Sequence, residues 1–398
     1  MSVTYPLGFR AAGVTAGLKP SGEPDLGLLV GDAGTTAAAL FTTNAVAAAP
    51  IEVGRDRLAR GHLRAVLVNS GQANAATGLR GIDDVRRTTA EVAALLGADP
   101  DEVLPSSTGV IGEPLHVEQM CAALPELVGA LDDAEGEQFA RAIMTTDAVP
   151  KQACAGVGVL RVGGCAKGVG MIAPNLATML AFVTTDAMVA ADGLRSIACE
   201  QLAPRFNALT VDGCTSTNDT VLLLASGAAG GARVEPGSAA WHELAGAIDA
   251  VGASLVSQLI ADGEGATHVM IVDVEGAASE ADARRVAKAV ADSPLVKTAV
   301  FGGDPNPGRF LQATGAAGVA FDPTALDVAI GDGAVAVGGV IPPAYFEPAS
   351  PLAERASAAM HEPEFAVRVR LGDGPGVSRA YGCDLSHEYV RINGECTT

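Results

Sequence analysis

The chain has 398 residues, and 26 Lys or Arg against 46 Asp or Glu give a formal net charge of −20. Hydrophobic residues make up 48% of the chain, enough for a large core, which excludes a disordered protein. The strong negative charge argues against nucleic acid or an anionic membrane surface as the main partner. The composition therefore favours a globular protein of two to three domains that acts on small ligands.

Predicted strands and helices alternate through the first half of the chain. Leu63–Val68 is a short β-branched run and predicts a strand. Apolar residues at helical spacing predict a helix over Val85–Leu96, with Asp84 as its cap and Gly97 as its end. The apolar run Leu176–Val183 is typical of a buried strand.

The second half continues the same mixture. A helix is predicted over Trp241–Leu259 and a strand over Val269–Val274. Ser279 followed by Asp282 indicates a capping box that opens another helix. The remaining predicted elements are the strand Leu326–Ile330, a hairpin turn at 331–333 and the strand Ala366–Leu371.

Together these elements predict an α+β fold in which antiparallel pairing outweighs a regular βαβ series. The seven cysteines are odd in number and form no Cys-x-x-Cys pair, so we expect reduced, mostly buried thiols. No secretory signal and no apolar stretch of membrane-spanning length is visible, which favours a cytoplasmic location.

Common catalytic motifs are missing from the sequence. The six histidines form no His-Glu-x-x-His pattern, and no Gly-x-Ser-x-Gly elbow occurs. The Gly-rich stretch Gly156–Gly170 fits neither a P-loop nor a dinucleotide fingerprint. We therefore expect neither a metal nor a cofactor.

Four segments are rich in small polar residues, three of them together with glycine, more densely than turns require. Taken one at a time, each is as well explained by turns and helix caps. Thr178 alone would pass for a threonine in a buried strand. The segments are PSSTGVIG at 105–112, MTTDAVPK at 144–151, KGVGMIAPNLATML at 167–180 and DGCTSTNDTV at 212–221.

Taken together, the segments resemble one family. With NSGQANAATG at 69–78 and ADGEGAT at 261–267, they occur in the order found in ornithine acetyltransferases, the glutamate N-acetyltransferases of cyclic arginine biosynthesis. The resemblance runs from about Gly8 to Thr398. It implies a layered α/β/β/α sandwich with mixed and antiparallel sheets, of the kind shared with related aminopeptidases.

The resemblance also implies self-processing between Ala177 and Thr178. The hydroxyl of Thr178 would attack the preceding carbonyl, and water would release a chain that begins with threonine. An N-terminal α-amino group has a pKa of about 7.7–8.0, so it can serve as the base that an unionised hydroxyl needs. The products would be an α chain, 1–177, and a β chain, 178–398, paired at least as α2β2.

In that family N2-acetylornithine acylates the threonine and glutamate takes the acetyl group. By resemblance the oxyanion hole consists of the Thr108 hydroxyl and the Gly109 N–H. The implied substrate contacts are Thr145, Lys167, Thr178, Glu264, Asn393 and Thr398. A lysine suits a substrate carboxylate and a glutamate suits an amino group.

The sequence departs from the family pattern at three places. Pro307 stands where relatives typically carry Trp, and the tail INGECTT carries Gly394 and Cys396 where relatives have other residues. Cys214 replaces a common Asp, and we expect a small buried thiol there. These changes leave open a paralogue with another amino-acid acceptor, an N-terminal nucleophile amidase or peptidase, and acetyl-CoA as a second donor.

Overall fold

A computed structural model of the protein describes residues 2–173 and 179–395. The described chain forms two compact units. Unit 1 takes residues 2–207 and 215–259, apart from the gap, and unit 2 takes residues 208–214 and 260–395. The predicted junction at Ala177 and Thr178 lies outside the described residues, and the division into α and β chains stays a prediction.

Unit 1 contains two sheets. The four-stranded sheet has the order β1-β2-β4-β5, with antiparallel pairs except for the parallel pair β4–β5. The five-stranded sheet has the order β3-β9-β8-β7-β6, in which only β8 and β9 are parallel. The strands are β1 Phe9–Val14, β2 Leu26–Gly31, β3 Thr36–Phe41, β4 Ala65–Gln72, β5 Val103–Val110, β6 Lys151–Val157, β7 Leu160–Lys167, β8 Leu180–Thr185 and β9 Thr220–Ala225.

Helices flank these two sheets, and one of them also contributes to the core between the sheets. They are α1 Ala49–Leu58, α2 Gly78–Leu96, α3 Val117–Gly129, α4 Gly136–Ala142, α5 Ala191–Ile197, α6 Ala203–Phe206 and α7 Ala239–Ala261. One core lies between the four-stranded sheet and helices α1, α2 and α3. A second core lies between the two sheets, where Phe139 of α4 meets Phe182 of β8 edge to face.

Helix α7 packs on the other side of the five-stranded sheet. A methyl group on Gly164 of β7 would lie 2.9 Å from Val251 of α7, so glycine permits this close approach. Among the described residues α7 alone is long and apolar enough to cross a membrane, and 56% of its apolar window is buried. The order helix, sheet, sheet, helix confirms the predicted layers within unit 1.

Unit 2 is built on one five-stranded sheet with the order β12-β11-β13-β10-β14. The pair β10–β13 is parallel and the other pairs are antiparallel. Its apolar core gathers strand residues with helices α8, α10 and α11. The elements are β10 Val269–Gly276, α8 Glu280–Asp292, α9 Pro294–Phe301, α10 Pro307–Gly315, β11 Asp327–Ile330, β12 Gly333–Ala336, α11 Pro351–Met360, β13 Glu364–Arg370, β14 Gly374–Cys383 and α12 His387–Glu395.

Most predicted elements are present, with one clear error of boundary. Ser279 caps α8 by accepting the N–H of Asp282 at 3.1 Å, and Gly97 ends α2 in the left-handed region. However, α2 begins at Gly78, so Asp84 lies inside the helix and caps nothing. In its first turn Leu79 is 84% exposed, and Val85 is the first buried apolar side chain of the helix.

The expectation of mostly buried thiols is wrong for half of the described cysteines. Cys165 and Cys383 are buried and Cys121 is partly buried, whereas Cys154, Cys199 and Cys214 are exposed. Cys154 lies on the edge strand β6, at an outward position of the alternating pattern. Composition cannot distinguish the two faces of such a strand.

Candidate active site

Two glycines lie side by side where the parallel strands β4 and β5 end. Gly71 is in register with Gly109, and both have positive φ, 124° and 130°. A methyl group on Gly109 would lie 2.2 Å from the carbonyl carbon and oxygen of Gly71. Only glycine fits this close approach of two backbones. Thr108, the preceding residue of β5, is 5% exposed.

The end of β7 brings a buried lysine to this point. The Lys167 ammonium donates to the Thr108 hydroxyl at 3.1 Å and to the Thr145 hydroxyl at 2.6 Å. An ammonium has donors only, so both hydroxyl oxygens must accept. The O–H of Thr108 therefore points away from the ammonium and can donate to another acceptor. A hydroxyl held in this way suits a negative oxygen that develops during a reaction.

The carboxylate of Asp147 lies near the Lys167 ammonium and accepts hydrogen bonds from three other donors. It accepts the Lys151 ammonium at 2.6 Å and the N–H groups of Gly168 and Thr145 at 2.8 and 3.1 Å, and lies 3.8 Å from the Lys167 ammonium. Burial alone would raise the pKa of Asp147. The positive charges of Lys167 and Lys151, with the Gly168 N–H, instead lower that pKa to about 2. The carboxylate is thus charged at neutral pH.

A second buried carboxyl, that of Asp219, lies next to Met179, where the described chain resumes after residue 178. Asp219 accepts the N–H of Met179 at 3.2 Å, and burial raises its pKa well above the usual value. Thr178 and Ala177, the predicted nucleophile and cleavage partner, lie outside the described residues. Asp147 and Asp219 were not predicted as site residues, although both fall in segments singled out above. Their burial distinguishes them, and burial follows from tertiary packing rather than from a sequence pattern.

Unit 2 holds the other described site residues. Glu264 is 8% exposed and accepts the side-chain N–H of Asn393 at 2.8 Å. The same Asn393 amide donates to the Tyr389 carbonyl one turn earlier in α12. The Tyr389 hydroxyl donates to Asp212 at 3.1 Å, and burial followed by the Asp212 charge raises the tyrosine pKa.

The positions at which the sequence departs from the family pattern lie in different environments. Pro307 is buried at the first position of α10, where its missing N–H leaves no helix bond unmade. Cys214 is exposed in a loop, so the expectation of a buried thiol there is wrong. Thr398 and Cys396 lie outside the described residues. Among the described residues no group of three or more His, Cys, Asp or Glu side chains could hold a metal ion.

Comparison with known proteins decides the family. The model of the ArgJ family matches residues 10–398. The chain belongs to the ArgJ family. The "Arginine biosynthesis bifunctional protein ArgJ" of Thermus thermophilus is 48% identical and covers 100% of both chains. Its counterpart in Thermosynechococcus vestitus is 46% identical, over 100% of this chain and 98% of that one. The family predicted from the sequence is confirmed.

Solved structures also match parts of the chain. An ArgJ crystal structure from Bacillus halodurans is 36% identical and covers 54% of this chain and 98% of its own, with a TM-score of 0.48. An ornithine acetyltransferase from Mycobacterium tuberculosis, solved with ornithine, is 40% identical over 45% of this chain and 96% of its own, with a TM-score of 0.41.

Proposed function

We propose that this ArgJ-family chain is an ornithine acetyltransferase: it moves the acetyl group of N2-acetylornithine to L-glutamate through an acetyl ester on Thr178. One observation carries the site assignment. The buried Lys167 ammonium donates to Thr108 and so leaves the Thr108 O–H to donate elsewhere, next to the constrained backbone of Gly109. Acyl transfer needs such fixed donors for its tetrahedral oxyanion.

In the first half-reaction the Thr178 oxygen attacks the acetyl carbonyl of the donor. The α-amino group of the same residue takes the hydroxyl proton. The Thr108 O–H and the Gly109 N–H stabilise the oxyanion, and its collapse breaks the amide bond. The proton passes to the departing nitrogen, so ornithine leaves as an amine and the enzyme keeps the acetyl group.

In the second half-reaction the amino group of glutamate attacks the ester carbonyl. The same two donors stabilise the second oxyanion, and Thr178 recovers its proton as N-acetylglutamate leaves. In this scheme Lys167 and Thr145 bind the carboxylate of the substrate. Glu264 binds the amino group of the substrate, and Asn393 and Thr398 provide further substrate contacts. The Asn393–Glu264 hydrogen bond supports a shared role for that pair.

The proposal includes maturation between Ala177 and Thr178, because a free α-amino group exists on Thr178 only after cleavage. The mature enzyme then contains an α chain, 1–177, and a β chain of 398 − 177 = 221 residues. We also propose a cytoplasmic location and assembly of at least α2β2.

Kinetics and mass spectrometry test the mechanism together. A covalent acetyl-enzyme requires ornithine to leave before glutamate reacts, so double-reciprocal plots at several glutamate concentrations should be parallel. N2-acetylornithine alone should add one acetyl mass to the peptide that begins at Thr178. Intersecting lines without an acetylated peptide would show direct transfer and refute the acetyl-threonine. Release of free acetate in place of acetylglutamate would favour an amidase.

A second activity is favoured by the word "bifunctional" in the names of the curated relatives. We propose acetyl-CoA as an additional donor to the same threonine. Purified protein should then form N-acetylglutamate from acetyl-CoA and glutamate without acetylornithine. Absence of product, in a preparation active with acetylornithine, would limit the enzyme to the first reaction.

A further inference from the structure

A cavity of about 580 Å³ opens in unit 1 beside the predicted oxyanion hole. Its lining includes Gly109 and Thr145, together with Lys19, Gln72, Glu113 and His116. The volume lies in the range of small-molecule sites. Of these residues, Lys19, Gln72, Glu113 and His116 have no role in the scheme above.

Lys19 lies in the loop between β1 and β2, and hydrogen bonds fix the backbone of this loop. Buried Asp25 accepts the N–H groups of Ala16, Leu18 and Lys19 at 2.6, 2.5 and 3.0 Å. Gln72 of β4 donates to the Leu18 carbonyl at 3.0 Å. Four hydrogen bonds therefore fix the backbone from which the lysine side chain extends.

The ammonium of Lys19 reaches the segment that carries Thr145. It donates to the Met144 carbonyl at 3.1 Å, and among residues 2–173 and 179–395 no carboxylate lies within 4.0 Å of it. Lys167, by contrast, has Asp147 at 3.8 Å. Burial lowers the pKa of Lys19; Asp25 opposes this, and the charge of Lys167 adds to it. A bound anion would compensate the charge of the Lys19 ammonium and favour its protonated form.

The proposed reaction supplies such an anion. Both substrates are amino acids, but ornithine has a cationic side chain and glutamate an anionic one. Lys167 can serve the α-carboxylate that both share, which leaves the side-chain carboxylate of glutamate without a cationic partner in that scheme. We propose that Lys19 binds this side-chain carboxylate and so selects glutamate as the acceptor; the inference rests on the proposed function.

Single-turnover experiments can isolate the acceptor step. Acetyl-enzyme is formed with N2-acetylornithine and then mixed with glutamate or with glutamine, its neutral isostere. In Lys19→Met, the preference for glutamate over glutamine in kcat/KM should fall about 10- to 100-fold, the worth of a hydrogen-bonded charge pair. Acetyl-enzyme formation should change less than threefold. The ratio is internal to each protein, so general damage to the fold cancels.

Two further variants complete the test. Lys19→Arg keeps the charge and should retain most of the preference for glutamate. Lys288→Met makes the same substitution on helix α8 and should leave the preference unchanged. Equal loss of both half-reactions in Lys19→Met, with the ratio intact, would assign Lys19 a purely structural role at Met144 and overturn the proposal. Wild-type protein that forms no acetyl-enzyme would instead refute the proposed function, and the Lys19 role with it.

Discussion

The buried Asp147 carboxylate allows a quantitative test of how the site is held together. Asp147→Asn keeps the size of the side chain but removes the charge that faces the ammonium groups of Lys151 and Lys167. The Lys151 side chain is 0% exposed and that of Lys167 3% exposed. Removing one partner of a buried ion pair costs about 3–5 kcal/mol, because the other charge remains without compensation.

The pKa of Asp147 adds a prediction for pH. The folded pKa of about 2 lies below the ordinary aspartate pKa of 3.8, a difference of roughly 1.8. At 1.36 kcal/mol per unit this contributes on the order of 2 kcal/mol of stability. Because the folded pKa is lowered, the contribution is complete above about pH 5 and is lost as pH falls toward 2. About half of it, on the order of 1 kcal/mol, is gone at pH 3.

Urea unfolding measures both effects. The background is Thr178→Ala, which we expect to remain one uncut chain, and all variants are compared at one protein concentration because the proposed assembly makes unfolding depend on it. Asp147→Asn should be less stable by about 3–5 kcal/mol from pH 8 to pH 5, and the difference should narrow at pH 3. Exposed Asp133→Asn is the matched control and should change stability by less than about 0.5 kcal/mol. A difference below 1 kcal/mol at pH 7, or one independent of pH down to 3, would refute the reasoning.

Three other outcomes are expected. Thr178→Ala should run as one uncut band without activity, while the wild type yields a fragment whose Edman sequence begins Thr-Met-Leu-Ala; an intact and active wild-type chain would contradict this. Thr108→Ala should lower kcat roughly 10²- to 10³-fold with little change in folding, and an unaltered kcat would make Thr108 a turn residue. Because burial raises the pKa of Asp219, ionisation destabilises the folded state as pH rises above the unfolded value. Asp219→Asn should thus be at least as stable as the wild type at pH 8 in thermal unfolding, and a large loss there would show that the ionised carboxylate is needed.

Periodicity predicted elements wherever one face of the chain is apolar. Strand β10 was found because its buried residues recur at the expected spacing, whereas helix α8 was found from the cap that Ser279 and Asp282 form at its start. The start of α2 was missed because its first turn, with Leu79 exposed, lies before Val85, the first buried apolar side chain of the helix. The register of the strands could not be predicted from the sequence. Gly71 lies opposite Gly109, but strand pairing depends on the whole sheet and not on either segment alone.

The candidate site divides in the same way. Thr108, Thr145 and Lys167 were named through a family resemblance, and the structure brings them within hydrogen-bonding distance. Asp147 and Lys19 belong to no motif that chemistry alone would select, because a single acidic or basic residue in a loop is ordinarily exposed to solvent. What distinguishes them is burial and the absence or presence of a counter-ion, and both follow from tertiary packing.

The two lysines beside Thr145 differ in what compensates their charge, and this difference assigns their roles. Lys167 has Asp147 nearby and two hydroxyl acceptors, so its position is set before any substrate arrives. Lys19 has a carbonyl and no carboxylate within 4.0 Å among the described residues. A preorganised cation suits the carboxylate common to both substrates, because its cost is met during folding. A cation whose counter-ion must come from the ligand discriminates instead, since only an anionic side chain compensates it.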